Sequence, residues 1–341
     1  MKVKISLLLF VLCLLFSLTI VYAEQEDTSR VISISSPEQF MEFAENCRID
    51  NYSKGLTVEL KCDIDLTGKQ FHPIAIFSGT FKGNGHCITG LSVHFSGSTC
   101  GLFRYLSEDA TVMDLKVSGT VIPVGSGDYA GGIAGDNAGT ILNCSFSGTI
   151  NGTQYIGGIV GINRGSIKNC TFDGDIFGNH FVGGIVGINY GYINNCVNNG
   201  TVNTDAAKSQ IGFSDVTFNS FLSAESSFTV TDIGGIAGSN LSAIEQCENH
   251  GSIGYQHIGY NIGGICGTST GYITSCKNYG SVKGRKEVGG IVGQLEPSLN
   301  LHYSTDSIQV LQLQVQQLGS ILSRLGQTLL NFVKDTREQV T

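Results

Sequence analysis

The chain has 341 residues, with Gly at 46 positions, Pro at only 4, no Trp and a net charge of −8. The acidic balance argues against nucleic acid as a partner, since binding to phosphate backbones depends on clustered Lys and Arg. Glycine this frequent, without Pro or a three-residue period, excludes collagen and points to tight turns at recurring places.

Residues 1–23 read as a secretory signal peptide. Lys2 and Lys4 precede an apolar run from Ile5 to Tyr22, and Val21-Tyr22-Ala23 ends it with a small residue before Glu24 and Glu26. The alternative is an uncleaved anchor, because 18 apolar residues just span a bilayer. Cleavage removes Lys2 and Lys4 and takes the net charge from −8 to −10. Residues 24–55 hold a strand and a short helix that lids the first coil of the chain's body. Ser36-Pro37-Glu38-Gln39 is a capping box with Pro at the first helical position, and Phe40, Phe43, Ala44 and Cys47 follow at helical spacing. Residues 56–124 form irregular opening coils.

Residues 125–297 are repetitive. Gly-Gly-Ile-x-Gly begins at Gly131, Gly157, Gly183, Gly234, Gly263 and Gly289, in steps of 26, 26, 51, 29 and 26 residues. Its isoleucines are Ile133, Ile159, Ile185, Ile236, Ile265 and Ile291. Cys144, Cys170, Cys196, Cys247 and Cys276 keep phase with it, as do Asn137, Asn163, Asn189 and Asn240. Each unit holds three short β-branched segments, in one unit Val182 to Ile188, Tyr192 to Val197 and Thr201 to Val202. None is long enough for a stable helix, and Gly is poor inside helices. A lone segment cannot bury its apolar face. Stacking like on like, roughly 4.8 Å apart, pairs the backbone and lays each residue over its counterpart. The fold class is therefore all-β: a right-handed parallel β-helix solenoid of about nine coils, with a short N-terminal capping helix and a C-terminal amphipathic or coiled-coil helix.

The ladder cysteines are read as a buried thiol stack, because in-register parallel neighbours aim their side chains alike; some bridges are the alternative. Cys47, Cys62, Cys87 and Cys100, outside the ladder, are the better disulfide candidates. The step of 51 carries 25 extra residues, an excursion over 203–233 that forms either a hairpin or a degenerate extra coil. Residues 298–341 carry heptads, with Ile308, Val315, Leu322 and Leu329 seven apart. That helix either oligomerises the protein or folds back as a cap.

The opening segments Leu60 to Leu66, Phe81-Lys82-Gly83-Asn84-Gly85-His86 and Gly101-Leu102-Phe103, followed by the Gly-Gly-Ile-x-Gly repeats, resemble the GLUG-motif family over about residues 31–297. The resemblance implies bacterial surface display and a β-helix. Such repeats occur in adhesin-like proteins, in large exported proteins, and ahead of the catalytic domain of immunoglobulin-A-cleaving zinc peptidases. Gln246 stands where earlier repeats carry Asn before the Cys, and His302 stands where a Cys is expected.

The seven histidines form no His-Glu-x-x-His, the pair a zinc peptidase helix needs. Asp173 and Asp175 share a strand face but have no carboxylate counterparts in adjoining repeats, whereas glycan hydrolysis needs grouped carboxylates. Arg164 and Lys168 lie one coil edge from Asp136, and Asn203-Thr204-Asp205 faintly echoes a polygalacturonase motif. No catalytic, metal-ligating or cofactor-binding residue is assigned and no cofactor is expected. Tyr155, Phe172, Phe177, Phe181, Tyr190 and Tyr192 cluster in consecutive coils. Outward-facing members would make a platform for sugar rings or a partner protein. Together with Phe218, Phe221 and Phe228 of the excursion, Tyr155, Phe181 and Tyr190 form the candidate interaction surface. The reading is a non-enzymatic exported scaffold for adhesion, with a host or envelope protein or glycan as partner. A glycan enzyme and the N-terminal portion of a larger exported protein are the alternatives.

Overall fold

The computed structural model describes residues 30–94, 97–124, 128–205, 230–296 and 318. The expected signal peptide, Phe218, Phe221 and Phe228 of the excursion, and the C-terminal helix apart from Leu318 lie outside the described residues. A compact unit ends at Glu296. Among the described residues, no helix is long and apolar enough to cross a membrane.

The unit is a parallel β-solenoid with about nine turns. Every ladder recorded between its strands is parallel, and the strands stack into sheets of 9, 6, 8 and 9 members. One turn shows the plan. Gln154–Gly157, Val160–Asn163, Ser166–Lys168 and Thr171–Phe177 follow one another, and each lies in a different sheet. The repeat turns thus have four strands where the sequence suggests three segments, whereas the opening turns lack the strand of the six-membered sheet. The segment read as Val182 to Ile188 breaks into His180–Gly183 and Val186–Asn189. The cause is the second Gly of the motif. A Cβ on Gly184 would sit 2.4 Å from the Asn198 side chain across the interior, and on Gly132 2.1 Å from Phe146. The chain turns where only a hydrogen fits.

Like side chains lie over like. The Ile133 amide donates to the Ile159 carbonyl, Ile159 to Ile185, Ile185 to Ile236 and Ile236 to Ile265, all at 2.8–3.0 Å, and these five side chains are fully buried. Ile291 keeps the register, its carbonyl accepting from Ile265 at 2.8 Å, but it is 41% exposed. Its coil is the last described, so it has a neighbour on one side only. The helix α1, Pro37–Asn46, is the expected lid. The Ser36 hydroxyl accepts from the Gln39 amide, and Phe40 and Phe43 pack onto Phe71, Phe77 and Phe81.

His180–Gly183 pairs directly with Thr231–Gly234, His180 opposite Thr231, so the stack continues across the excursion with no layer between these strands. Residues 206–229 of the excursion lie outside the described residues.

The cysteine ladder is a stack of free thiols. Each thiol donates to the carbonyl two residues earlier, as Cys170 does to Lys168 at 3.2 Å and Cys247 to Glu245 at 3.2 Å. The amides of Cys196 and Cys247 in turn point at the sulfur of the next coil, at 3.4 and 3.5 Å. Cys47, Cys62, Cys87 and Cys100, expected as disulfide partners, are free as well. Cys47 and Cys100 are each buried, and burial pushes their thiols up to about 12 and about 11. Cys62 instead donates to the Ser35 carbonyl at 3.2 Å. In the native protein a maleimide is expected to label the part-exposed Cys62, Cys87 and Cys276 first, and Cys170 and Cys196 only on unfolding. Mass mapping of labelled peptides checks this; rapid native labelling of Cys170 would contradict the stack.

Candidate functional site

The ladders separate structure from surface. Asn137 donates to the Asn163 carboxamide oxygen at 2.8 Å, Asn163 to Asn189 at 2.8 Å, and Asn189 to Asn240 at 2.9 Å. All four are fully buried. A second column, Asn198–Asn249–Asn278, buried at its first two members and part-exposed at Asn278, is linked at 2.7 Å per step and was not anticipated. It occupies the interior position that Phe146 and Phe172 fill in earlier coils. The sequence signal was that substitution fifteen residues after the first Gly of the motif. Phe172, counted among the clustered aromatics, stacks on Phe146 in the core, and Phe177 is also buried. Asn203, of the polygalacturonase echo, is fully buried and bonds both the amide and the carbonyl of Gly178. These residues are not at a surface.

Two columns run side by side on the outside. The first holds the residue two before each motif: Tyr129, Tyr155, Phe181, Asp232, Asn261 and Glu287. All six have φ between 49° and 61°. Asn and Asp tolerate this left-handed region, but bulky residues there are outliers with a strain of about 1–3 kcal/mol each. Tyr129, Tyr155 and Phe181 stack with centroids 5.0 Å apart at each step and planes within 20° and 5°. Such contacts return about 0.5–1.5 kcal/mol each, less than the strain. Burial, then Tyr129, Tyr190 and Asp128, raise the Tyr155 phenol above its ordinary value.

The second column lies beside it: Asp136, Ile162, Ile188, Ser239, Thr268 and Gln294 in register. Ile162 and Ile188 are only 6% exposed, yet they stand apart from the main apolar core. At the excursion both columns change character together. Phe181 gives way to Asp232, and Ile188 to Ser239. The groove between these columns is therefore aromatic and apolar, Asp136 apart, in the coils before residue 205 and polar in those after residue 230.

Of the predicted surface residues, Tyr155 and Phe181 share the aromatic column, which also includes Tyr129. Tyr190 stands outside it, exposed, with the Arg164 guanidinium 5.4 Å from its ring. Arg164 also pairs with Asp136 at 3.4 Å, and burial raises that carboxyl despite the pairing. Tyr192 donates to Glu245 at 2.6 Å. Asp175 accepts from Thr201 at 2.8 Å, while Asp173 is exposed. Among the described residues no group of three or more His, Cys, Asp or Glu could hold a metal.

Where the aromatic column ends, a depression of ≈ 360 Å³ opens, lined by Phe181, Asp232, Ser239, Asn261, Thr268 and Glu296 among others. Asp232 accepts from Asn261 at 2.9 Å and from the Thr231 hydroxyl at 2.7 Å. With that hydroxyl donating to Asp232, His180 Nδ1, 3.0 Å from Thr231 Oγ1, carries the proton and donates. Burial lowers the pKa of half-buried His180, more than Asp232 raises it. The folded protein then binds fewer protons than the unfolded chain below about pH 6.5. The neutral imidazole's contribution is present above that value and is lost as pH falls toward the folded pKa. The urea midpoint is expected to fall between pH 7.5 and pH 5, by less in His180→Gln. Equal shifts in both proteins would contradict this.

Residues 152–176 match the GLUG motif. A stretch of 91 residues, 25% of the chain, is 42% identical to Halomucin of Haloquadratum walsbyi. The chain spans 1% of the length of that relative. The crystal structure of a candidate immunoglobulin A1 protease from Bacteroides ovatus superposes with a TM-score of 0.54 at 17% identity, covering 81% of this chain and 87% of that one. At that identity the likeness concerns the fold. The chain carries a GLUG motif at residues 152–176 within a parallel β-solenoid.

Proposed function

We propose that the chain is an exported, non-enzymatic scaffold, secreted or held at the cell surface, that adheres through the outer groove of its solenoid. The observation carrying this reading is the strained aromatic column Tyr129–Tyr155–Phe181 on the outside of a stack whose interior is otherwise built for rigidity. Later coils hold Asp232 and Asn261 at the same place, residues that suit the backbone better. Bulky rings at a position of poor intrinsic fit indicate a role beyond folding. The GLUG motif and the similarity to Halomucin support the exported setting.

The test is a glycan and matrix-protein binding array probed with the full chain. Tyr155→Ala combined with Phe181→Ala is expected to reduce binding at least about tenfold, as loss of a stacked aromatic anchor does. A variant lacking residues 209–229 separates the groove from the excursion. Undiminished binding by the double variant would remove the groove as the adhesive face.

A further inference from the structure

We infer that the depression at the end of the aromatic column is a subsite for a single neutral pyranose ring. This rests on the adhesion reading and names the ligand class.

Three observations point the same way. Tyr155 covers one face of Phe181 at 5.0 Å, nearly parallel. The column's next level is Asp232, which is not aromatic, so among the described residues no ring of the column covers the other face of Phe181, which lines the cavity. Of the three rings, Phe181 alone lines the described cavity. The C–H face of a pyranose packs against such a ring, as apolar faces do.

The opposite wall carries hydrogen-bonding capacity that the protein does not consume. Ser239 is only 9% exposed, yet its hydroxyl makes no hydrogen bond among the described residues. The Thr268 hydroxyl and the Asn261 carboxamide oxygen are likewise unpartnered among them. Ser239 is the buried member of this set and Thr268 and Asn261 are part-exposed beside it; buried polar groups normally find partners, so the Ser239 hydroxyl suits an external one. Asp232 is held in place by Thr231 and Asn261 and keeps lone pairs for sugar hydroxyls. An aromatic face opposed by carboxylate, amide and hydroxyl groups suits a polyol ring with one apolar side.

Charge and size narrow the class. Asp232 and Glu296 line the cavity and no cationic side chain among the described residues does, so uronic and sialic acids are repelled. A volume of ≈ 360 Å³ lies near the lower end of the roughly 300–1,000 Å³ of small-molecule sites, which fits one ring and not an oligosaccharide.

The experiment is saturation-transfer NMR with calorimetry on the full chain, using methyl glucoside, galactoside, mannoside and N-acetylglucosaminide, with methyl glucuronide as the anionic control. At least one neutral glycoside is expected to bind with Kd on the order of 1 mM, the scale for so small a ligand, and the glucuronide not to bind. Phe181→Ala should abolish binding and Ser239→Ala should weaken it several-fold. Phe181→Tyr should retain binding, and Tyr272→Ala, exposed on a different sheet of the solenoid, should leave it unchanged. Unfolding midpoints of each variant separate loss of the site from loss of fold. No transfer from any neutral glycoside, or transfer that survives Phe181→Ala, overturns the subsite. If the array still shows adhesion lost with Tyr155 and Phe181, the groove reading stands without it. Glycoside binding in a chain that adheres to nothing keeps the subsite and discards the adhesive role.

Discussion

Gly158→Ala is expected to destabilise the solenoid by about 3–5 kcal/mol, an extreme effect for adding one methyl group. The new Cβ would lie 2.1 Å from the Gly184 carbonyl oxygen of the next coil and 2.4 Å from Phe172 Cγ. Phe172 is fully buried and stacked on Phe146, and Gly184 belongs to a ladder bonded on both sides. Neither can retreat without separating two turns. Gly290→Ala, the same motif position in the last described coil, is the control. Its Cβ meets nothing within 4 Å, and a change within about 0.5 kcal/mol is expected. Urea unfolding of the two variants checks both. Comparable losses would mean that glycine serves there through backbone freedom and not through space.

The second large effect concerns the buried amide column. Asn163→Leu is expected to cost about 3–5 kcal/mol, because it strips one hydrogen bond from each of two buried neighbours. Asn137 loses the acceptor for its amide at 2.8 Å, and Asn189 loses the donor to its oxygen at 2.8 Å. The Gly165 carbonyl also loses a donor at 3.3 Å. Asn163→Ser is expected to lose only about 1–2 kcal/mol, since Ser269 already continues the column, accepting from Asn240 at 3.2 Å. Thermal and urea unfolding rank the pair. Equal losses would show that side-chain volume, and not the amide chain, holds this corner.

The sequence alone carried the architecture, because a solenoid converts period into position. A constant step places Ile133 over Ile159 and Cys144 over Cys170 whatever else the chain does, and the capping box at Ser36 and Gln39 is local. The Asn137–Asn163–Asn189–Asn240 column was legible for the same reason. Period does not say which way a side chain points. Phe172 and Phe181 sit in neighbouring strands, one in the core and one on the surface, and backbone turn geometry decides between them. Nor could spacing tell that the repeat turns have four strands, since the break at Gly184 comes from Asn198 arriving from across the interior. The disulfide expectation for Cys47, Cys62, Cys87 and Cys100 failed because count and compartment carry no distances. The depression beside Phe181 belongs wholly to the tertiary structure. It exists because two columns change residue type in the same coil, and only stacking makes residues 181, 239 and 268 neighbours.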